Sequence, residues 1–237
     1  MTEQFSRTYM LLGEDAMDKL RRSHILLFGL GGVGASVAEA LCRCGVGNIT
    51  LVDNDKINPS NINRQIIATS ETIGLYKTEA TRKRLAIINP ECKVTVHNVF
   101  YLPSTENIIT ADFDYIIDAI DTVTAKIDII MNAKELHIPV ISCMGTGNKL
   151  HPELLEITDL FKTSVCPLCR VMRTELKKRG LKNLTVVYSP EMPLKPDTAY
   201  LTDMTDKRQS PGSVSFVPPA AGLLIVSKVI RDLIGEK

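Results

Sequence analysis

Residues 24–55 read HILLFGLGGVGASVAEALCRCGVGNITLVDND, and the fold is decided there. An apolar run (25–28) passes into Gly29, Gly31, Gly32 and Gly34. Val33, Val37, Ala40 and Leu41 then recur at helical spacing, Gly45 and Gly47 end that helix, and a second apolar run (49–52) stops at Asp53-Asn54-Asp55. The pattern predicts a strand, a glycine turn, a helix and a strand with an acid at its carboxyl end. Lacking Cβ atoms, the glycines let backbone approach a phosphate chain, and the unpaired N–H groups at the helix start face its negative charge. Asp53, nineteen residues after Gly34, is placed to accept hydrogen bonds from ribose hydroxyls. A glycine-rich turn can be purely structural, and Asp53 and Asp55 could simply cap the turn that follows. The strand–turn–helix–strand frame is what points to a bound nucleotide.

Working outward, residues 4–21 read as one or two helices carrying Arg7, by default a solvated side chain. Residues 56–74, broken by Pro59 and Gly74, read as a loop or short helical turn. A helix over 75–89 is stopped by Asn89-Pro90, and 93–97 is a strand. Residues 114–120 form a short buried strand followed by Asp121, 122–136 a helix, and 140–144 a strand running into Gly145-Thr146-Gly147. Such alternation requires a parallel sheet with right-handed crossovers and helices on both faces. Ligands then sit beyond the carboxyl ends of the strands, the rim that residues 29–34, Asp53 and Asp121 share. Residues 151–237 differ in texture: a strand over 154–160, a basic helix over 164–179, a strand over 185–188, a long loop over 190–213, an extended piece over 213–217, and a helix over 220–234 started by Pro218-Pro219. The expected architecture is one Rossmann-like α/β domain over 1–237. Its mostly parallel nucleotide-binding part (1–150) is extended by an antiparallel C-terminal part (151–237).

Composition narrows the classes. Hydrophobic residues make up 44% and charged residues 23% of the 237, enough to bury a core. A formal net charge of +1 gives no global attraction to nucleic acid, so such binding needs a local patch. Residues 1–22 lack the apolar segment of a secretory signal, and no run reaches the about 18 apolar residues of a membrane span. Six cysteines then read as reduced thiols of a cytoplasmic protein. Cys42 and Cys44 read as helix packing and Cys92 as incidental. Cys166-Pro-Leu-Cys169 has metal-ligand spacing, but a structural zinc needs four ligands and only one such pair exists, so zinc is not expected.

Taken in order, GLGGVG (29–34), DND (53–55), SNINRQ (60–65), Lys77 within IGLYKTEA (73–80) and DAIDTVTAK (118–126) resemble the ubiquitin-activating-enzyme-like adenylating superfamily, which also holds the molybdopterin and thiamine sulfur-carrier adenylyltransferases. The resemblance spans roughly residues 5–150. It implies that a carboxylate becomes reactive by receiving AMP from ATP, with release of pyrophosphate. It further implies that the glycine loop, Asp53, Asp55, Asn61, Arg64, Gln65, Lys77, Asp121 and Thr122 contact ATP. Arg64 and Lys77 would neutralise phosphate charge, Asp121 would position magnesium, and Arg7 would reach into the partner's site of a homodimer.

More narrowly, GSVSFVPPAAGL (212–223), the basic helix CPLCRVMRTELKKRG (166–180) and the short chain look like the tRNA threonylcarbamoyladenosine dehydratase branch. Its members cyclise the threonylcarbamoyl group on the adenosine beside the anticodon. A charge run alone is commonly a solvated face. Next to an RNA substrate, Arg170, Arg173 and Lys177, which share a helix face, become a phosphate-docking strip together with Lys207 and Arg208. Ring closure within one molecule needs orientation more than a protein nucleophile, so no thioester on Cys143, Cys166 or Cys169 is required. Two rivals stand beside this reading. An adenylyltransferase for the C-terminus of a ubiquitin-like sulfur carrier shares the ATP half but has a second cysteine pair. A nicotinamide-dependent oxidoreductase would leave SNINRQ and Lys77 without purpose. A monovalent cation and a sulfur-relay or other accessory protein stay open.

Overall fold

The computed structural model describes residues 3–105, 108–197 and 211–236. Two short helices, α1 (Ser6–Leu12) and α2 (Glu14–Arg22), lead into β1 (His24–Phe28). In α2, Ala16, Met17 and Leu20 form the buried stripe. Glu14 and Asp15 in its first turn and Arg21 and Arg22 in its last complement the helix dipole. The glycine turn follows, then α3 (Gly32–Arg43) and β2 (Asn48–Val52), as the opening stretch of sequence dictates.

Next come α4 (Lys77–Ile88), β3 (Lys93–His97), β4 (Tyr115–Asp118), α5 (Val123–Glu135) and β5 (Val140–Cys143). The C-terminal part supplies β6 (Glu156–Asp159), α6 (Pro167–Lys178), β7 (Thr185–Tyr188) and α7 (Val217–Ile234).

The seven strands form one sheet in the order β3-β2-β1-β4-β5-β7-β6. All neighbours run parallel except β6, which pairs antiparallel to β7 at the edge. The chain builds outward from β1 to one side and then from β4 to the other, so the strand order reverses between β1 and β4. A crevice opens at that point beyond the carboxyl ends.

Both sheet faces are covered, which is why the central strands are near-continuous apolar runs. Ile25, Leu27, Ile49, Leu51 and Ile117 face α2, α3 and α7, whereas Leu26, Phe28, Ile116, Val140 and Val186 face α5 and α6. The final helix returns to pack on α3, where a Cβ on Gly222 would lie only 2.7 Å from the Val33 carbonyl oxygen.

Three expectations need adjusting. The helix expected from residue 75 begins at Lys77, because Tyr76 is held in an extended bridge with Lys56. Residues 119 and 120 leave the strand and turn into the crevice, the Ile120 N–H donating to Asp118 Oδ1 at 3.3 Å. Residues 213–216 form no strand: the Ser213 carbonyl accepts from Asn63 Nδ2 at 2.9 Å rather than from a neighbouring strand, and Val217 already begins α7. Most of the expected long loop, 198–210, lies outside the described residues.

Candidate functional site

The crevice is a cleft of about 510 Å³. The loops after β1, β2, β3, β4 and β5 all reach it, and Pro211, Ser213 and Pro218 close it from the C-terminal side. It brings together Gly29, Gly31, Gly32, Asp53 and Asp121, which strand order assigns to one rim, with Asp55, Asn61, Arg64, Gln65, Lys77 and Thr122, which only the family resemblance implied. Gly34 does not line it but makes it possible, since a Cβ there would sit 1.8 Å from the Gly29 carbonyl oxygen. Helix and turn touch backbone to backbone at this point.

Asp53 ends β2 and braces the turn: Leu30 N–H donates to its Oδ2 at 2.6 Å and Asp55 N–H to its Oδ1 at 2.7 Å. Burial pushes its carboxyl above the ordinary range, opposed by the nearby Lys77 charge and these two N–H donors. Lys77 opens α4 with its side chain only 8% exposed, its Nζ 2.6 Å from Asp55 Oδ2. The strand end and the helix start are further tied by Lys77 N–H to the Asp55 carbonyl, 2.9 Å.

The SNINRQ stretch forms a 3-10 turn (Pro59–Asn61) closed by a reciprocal cap, in which Asn58 N–H donates to Asn61 Oδ1 at 3.0 Å. The turn presents Arg64, whose Nη1 donates to the Ser60 carbonyl and to Asn63 Oδ1, both 2.9 Å. Burial draws the guanidinium below its ordinary pKa, although it stays charged. Gln65 is 4% exposed, and its Oε1 is buried without a hydrogen-bond partner among the described residues. Buried acceptors are seldom left so, and a ligand donor in the cleft would complete it. Thr122 caps α5 without a side-chain cap bond, and Asp121 beside it is exposed.

A nucleoside polyphosphate fits this set. Helix-start N–H groups and two cations face one region, a ribose-competent carboxylate lies on the neighbouring strand, and a Cβ on Gly31 would meet nothing within 4 Å. The exposed Val99 and Phe100 and the buried Tyr101 add an apolar wall that the sequence reading missed. They follow β3 directly, which was the available signal. Pro211 and Ser213 were also missed, because only the tertiary fold brings them to the rim, whereas Thr146 follows β5 at that edge and was given no role.

Arg7 is exposed on α1 and does not line this chain's own cleft. The neighbouring Phe5 and Tyr9 face Gly45 and Gly47, which precede β2 at the opposite edge of the sheet. On α6, Arg170 and Lys177 are exposed, but Arg173 donates through Nη1 to the Thr163 carbonyl (2.9 Å) and to its Oγ1. Lys178 and Arg179 pair with Glu175. Lys207 and Arg208 lie outside the described residues.

Cys143, Cys166 and Cys169 are all buried. The Cys166 thiol, at the start of α6, is held well below its usual pKa by a hydrogen bond from Cys169, with further backbone donors from Cys169, Gly145 and Leu168. Among the described residues, no three His, Cys, Asp or Glu side chains are grouped to hold a metal ion. Cys92 is not incidental: it is buried in the core, in contact with Cys42. Among the described residues no helix is long and apolar enough to cross a membrane.

Comparison with known proteins agrees with this geometry. The model of the ThiF family matches residues 5–237. The tRNA threonylcarbamoyladenosine dehydratase of Bacillus subtilis (strain 168) is 38% identical, over 100% of this chain and 96% of its own. That of Escherichia coli (strain K12) is 37% identical over 92% of this chain and 81% of its own. The solved E. coli enzyme, TcdA, superposes with a TM-score of 0.87 in its ATP complex and 0.89 in its AMP complex. Identity there is 33% and 34%, over 99% of this chain and 95% of that one in both cases.

Proposed function

The chain belongs to the ThiF family, and from that membership we propose that it is an ATP-dependent tRNA threonylcarbamoyladenosine dehydratase. The carboxylate of the threonylcarbamoyl group, on the adenosine next to the anticodon, attacks the α-phosphorus of ATP and pyrophosphate leaves. The carbamoyl group of the same substituent then attacks the activated carbonyl, the bond to AMP breaks, and a ring forms. The net change in the RNA is loss of one water. Support comes from one observation above all: Gly31, Asp53, Arg64, Gln65, Lys77 and Asp121, distant in sequence, line a single cleft, and one relative, 33–34% identical, was solved with ATP and with AMP.

In this reading the N–H groups of the glycine turn, Arg64 and Lys77 oppose the charge that spreads over the phosphate oxygens as pyrophosphate departs. Asp53 and Gln65 orient the nucleoside. Asp121, exposed on the rim, would hold a magnesium ion, which would supply further charge neutralisation at the phosphates. Ring closure is left to orientation, so the buried cysteines need not act as nucleophiles.

The exposed Arg170 and Lys177 supply docking for tRNA phosphates, with Lys207 and Arg208 as further members of that strip. Arg7, remote from its own cleft, serves the partner's site in a homodimer. The reaction belongs in the cytoplasm, and an accessory sulfur-relay protein is compatible with it.

The test is mass analysis of nucleosides from threonylcarbamoyladenosine-bearing tRNA after incubation with the protein, ATP and magnesium. The expected product has lost one water, with stoichiometric AMP, and Asp121→Ala abolishes both while the fold stays intact. Unchanged RNA, together with pyrophosphate exchange stimulated by a ubiquitin-like sulfur carrier, would overturn the reading in favour of a carrier adenylyltransferase.

A further inference from the structure

Beneath the cleft lies an ion pair with no solvent exposure, between Lys126 of α5 and Asp118 at the end of β4. The other buried positions of α5 are Ala125, Ile129, Ile130 and Ala133, so a lysine here is out of pattern. Its Nζ has three acceptors: Asp118 Oδ2 at 2.9 Å, the Cys143 carbonyl at 2.8 Å and the Ile120 carbonyl at 3.1 Å. Asp118 in turn accepts from Ser142 Oγ at 2.5 Å and from the Ile120 N–H at 3.3 Å. Both polar groups of the Ile120 backbone are therefore held by this one pair, and Ile120 immediately precedes Asp121. The Cys143 carbonyl fixes the other wall, because the loop after it carries Thr146 and Gly147 into the cleft.

Stability does not explain this arrangement. A buried ion pair is commonly no more stabilising than well-packed apolar residues of similar volume. An apolar pair could fill the space, but it could not draw two carbonyls and an N–H inward from two different loops.

Resting on the functional reading above, we propose that Lys126, with Asp118 as its counter-ion, is a positioning residue. It locks the loops after β4 and β5 into one body and so sets where Asp121 stands relative to the nucleotide phosphates. Lys126 touches no substrate. It acts through the Ile120 and Cys143 carbonyls.

Lys126→Met alone strands a buried carboxylate and is expected to unfold, so the informative variant is Asp118→Asn with Lys126→Met, which is charge-neutral at both positions. Ser142→Ala, which removes one donor to Asp118 and little volume, is a milder second variant. Two readouts are taken on the full chain: amide hydrogen exchange, and AMP formation with tRNA at varied ATP. The double variant should exchange at least about tenfold faster, but only over residues 119–123 and 143–147. Its kcat should fall about 100-fold with KM for ATP within about threefold of wild type, since a displacement of about 1 Å costs roughly that factor. Ser142→Ala should move both readouts the same way by a smaller factor. Leu20→Ala, a core change in α2 at the far edge of the sheet, should lower thermal stability and leave kcat alone. Unaltered exchange in the two segments refutes the proposal even if the wild-type chain proves inactive on tRNA, and so does a folded double variant with wild-type kcat. Inactivity of the wild-type chain, with the two segments loosened in the variant, counts against the functional reading and not against the positioning role.

Discussion

Two alanine substitutions within one glycine motif should fail in opposite ways. At Gly34 the added Cβ would lie 1.8 Å from the Gly29 carbonyl oxygen, where real Cβ contacts are essentially never under 3.0 Å. Turn and helix must part by the difference, at least about 1.2 Å. Alanine is worth up to about 1 kcal/mol over glycine within a helix. Against it stands overpacking, typically about 1–3 kcal/mol and more when the opposing atom is backbone. A net loss of about 2 kcal/mol lowers the melting temperature of a chain this long by about 4–8 °C. The same displacement moves the N–H groups aimed at phosphate, which should cost about 100-fold in kcat/KM. At Gly31, by contrast, a Cβ meets nothing within 4 Å, and the φ of −72° is one that alanine adopts. That open space is the cleft, so Gly31→Ala should melt within about 2 °C of wild type yet raise KM for ATP about tenfold, the loss of about 1.4 kcal/mol of binding. Thermal melts and AMP formation at varied ATP measure both. A Gly34→Ala protein with wild-type stability and turnover, or a Gly31→Ala protein with unchanged KM, refutes the reasoning.

Two further outcomes follow from the surface and from pH. Arg170→Glu with Lys177→Glu should weaken tRNA binding and reduce the salt slope of its affinity by about 2, leaving KM for ATP unchanged. Arg173→Ala should instead lower stability, because that guanidinium holds Thr163. A tRNA affinity indifferent to salt would sink the docking strip. Burial lowers the pKa of His24 below 6.5, partly opposed by Asp114 and Asp112. The unfolded chain therefore binds a proton that the native state refuses, and stability falls as pH drops through 6.5 toward the lower native value. Melting curves should show that loss, and His24→Gln should flatten it. An unchanged profile in the variant rules His24 out and leaves the slope to the Cys166 thiol, whose lowered pKa of about 5 also makes stability fall with pH across this range.

What the sequence showed most clearly was whatever depends on chain-local order. The apolar runs at 25–28 and 49–52 became central strands because both sheet faces are covered, and each ends at the rim where its next residues line the cleft. Asp53 and Asp121 were legible for that reason. Lys126 sat inside a quoted motif and was passed over, since a lysine in a helix is ordinarily a solvated charge. Nothing local says that Asp118 and Ser142 will meet it. Arg170, Arg173 and Lys177 share a face by spacing, yet spacing could not show that Arg173 is committed to Thr163. The C-terminal side of the cleft was beyond reach for a related cause: Ser213 is held there by Asn63 and Gly212, beside Pro211, by Asn148, partners 150 and 64 residues away.

Asp53 shows that a bland and a functional reading of one residue need not exclude each other. The alternatives were a cap for the local turn or an acceptor for ribose. The carboxylate does cap, since each oxygen takes one backbone N–H, from Leu30 and from Asp55. An ionised carboxylate has about four acceptor positions, so about two remain for ligand hydroxyls. The capping bonds also fix the carboxylate before any ligand arrives, and with Lys77 they oppose the burial that raises its pKa. Removing the cap thus also removes the oxygens proposed to accept from ribose. Asp53→Asn, which keeps one acceptor oxygen but loses the charge, should damage the turn at Leu30 and nucleotide affinity together.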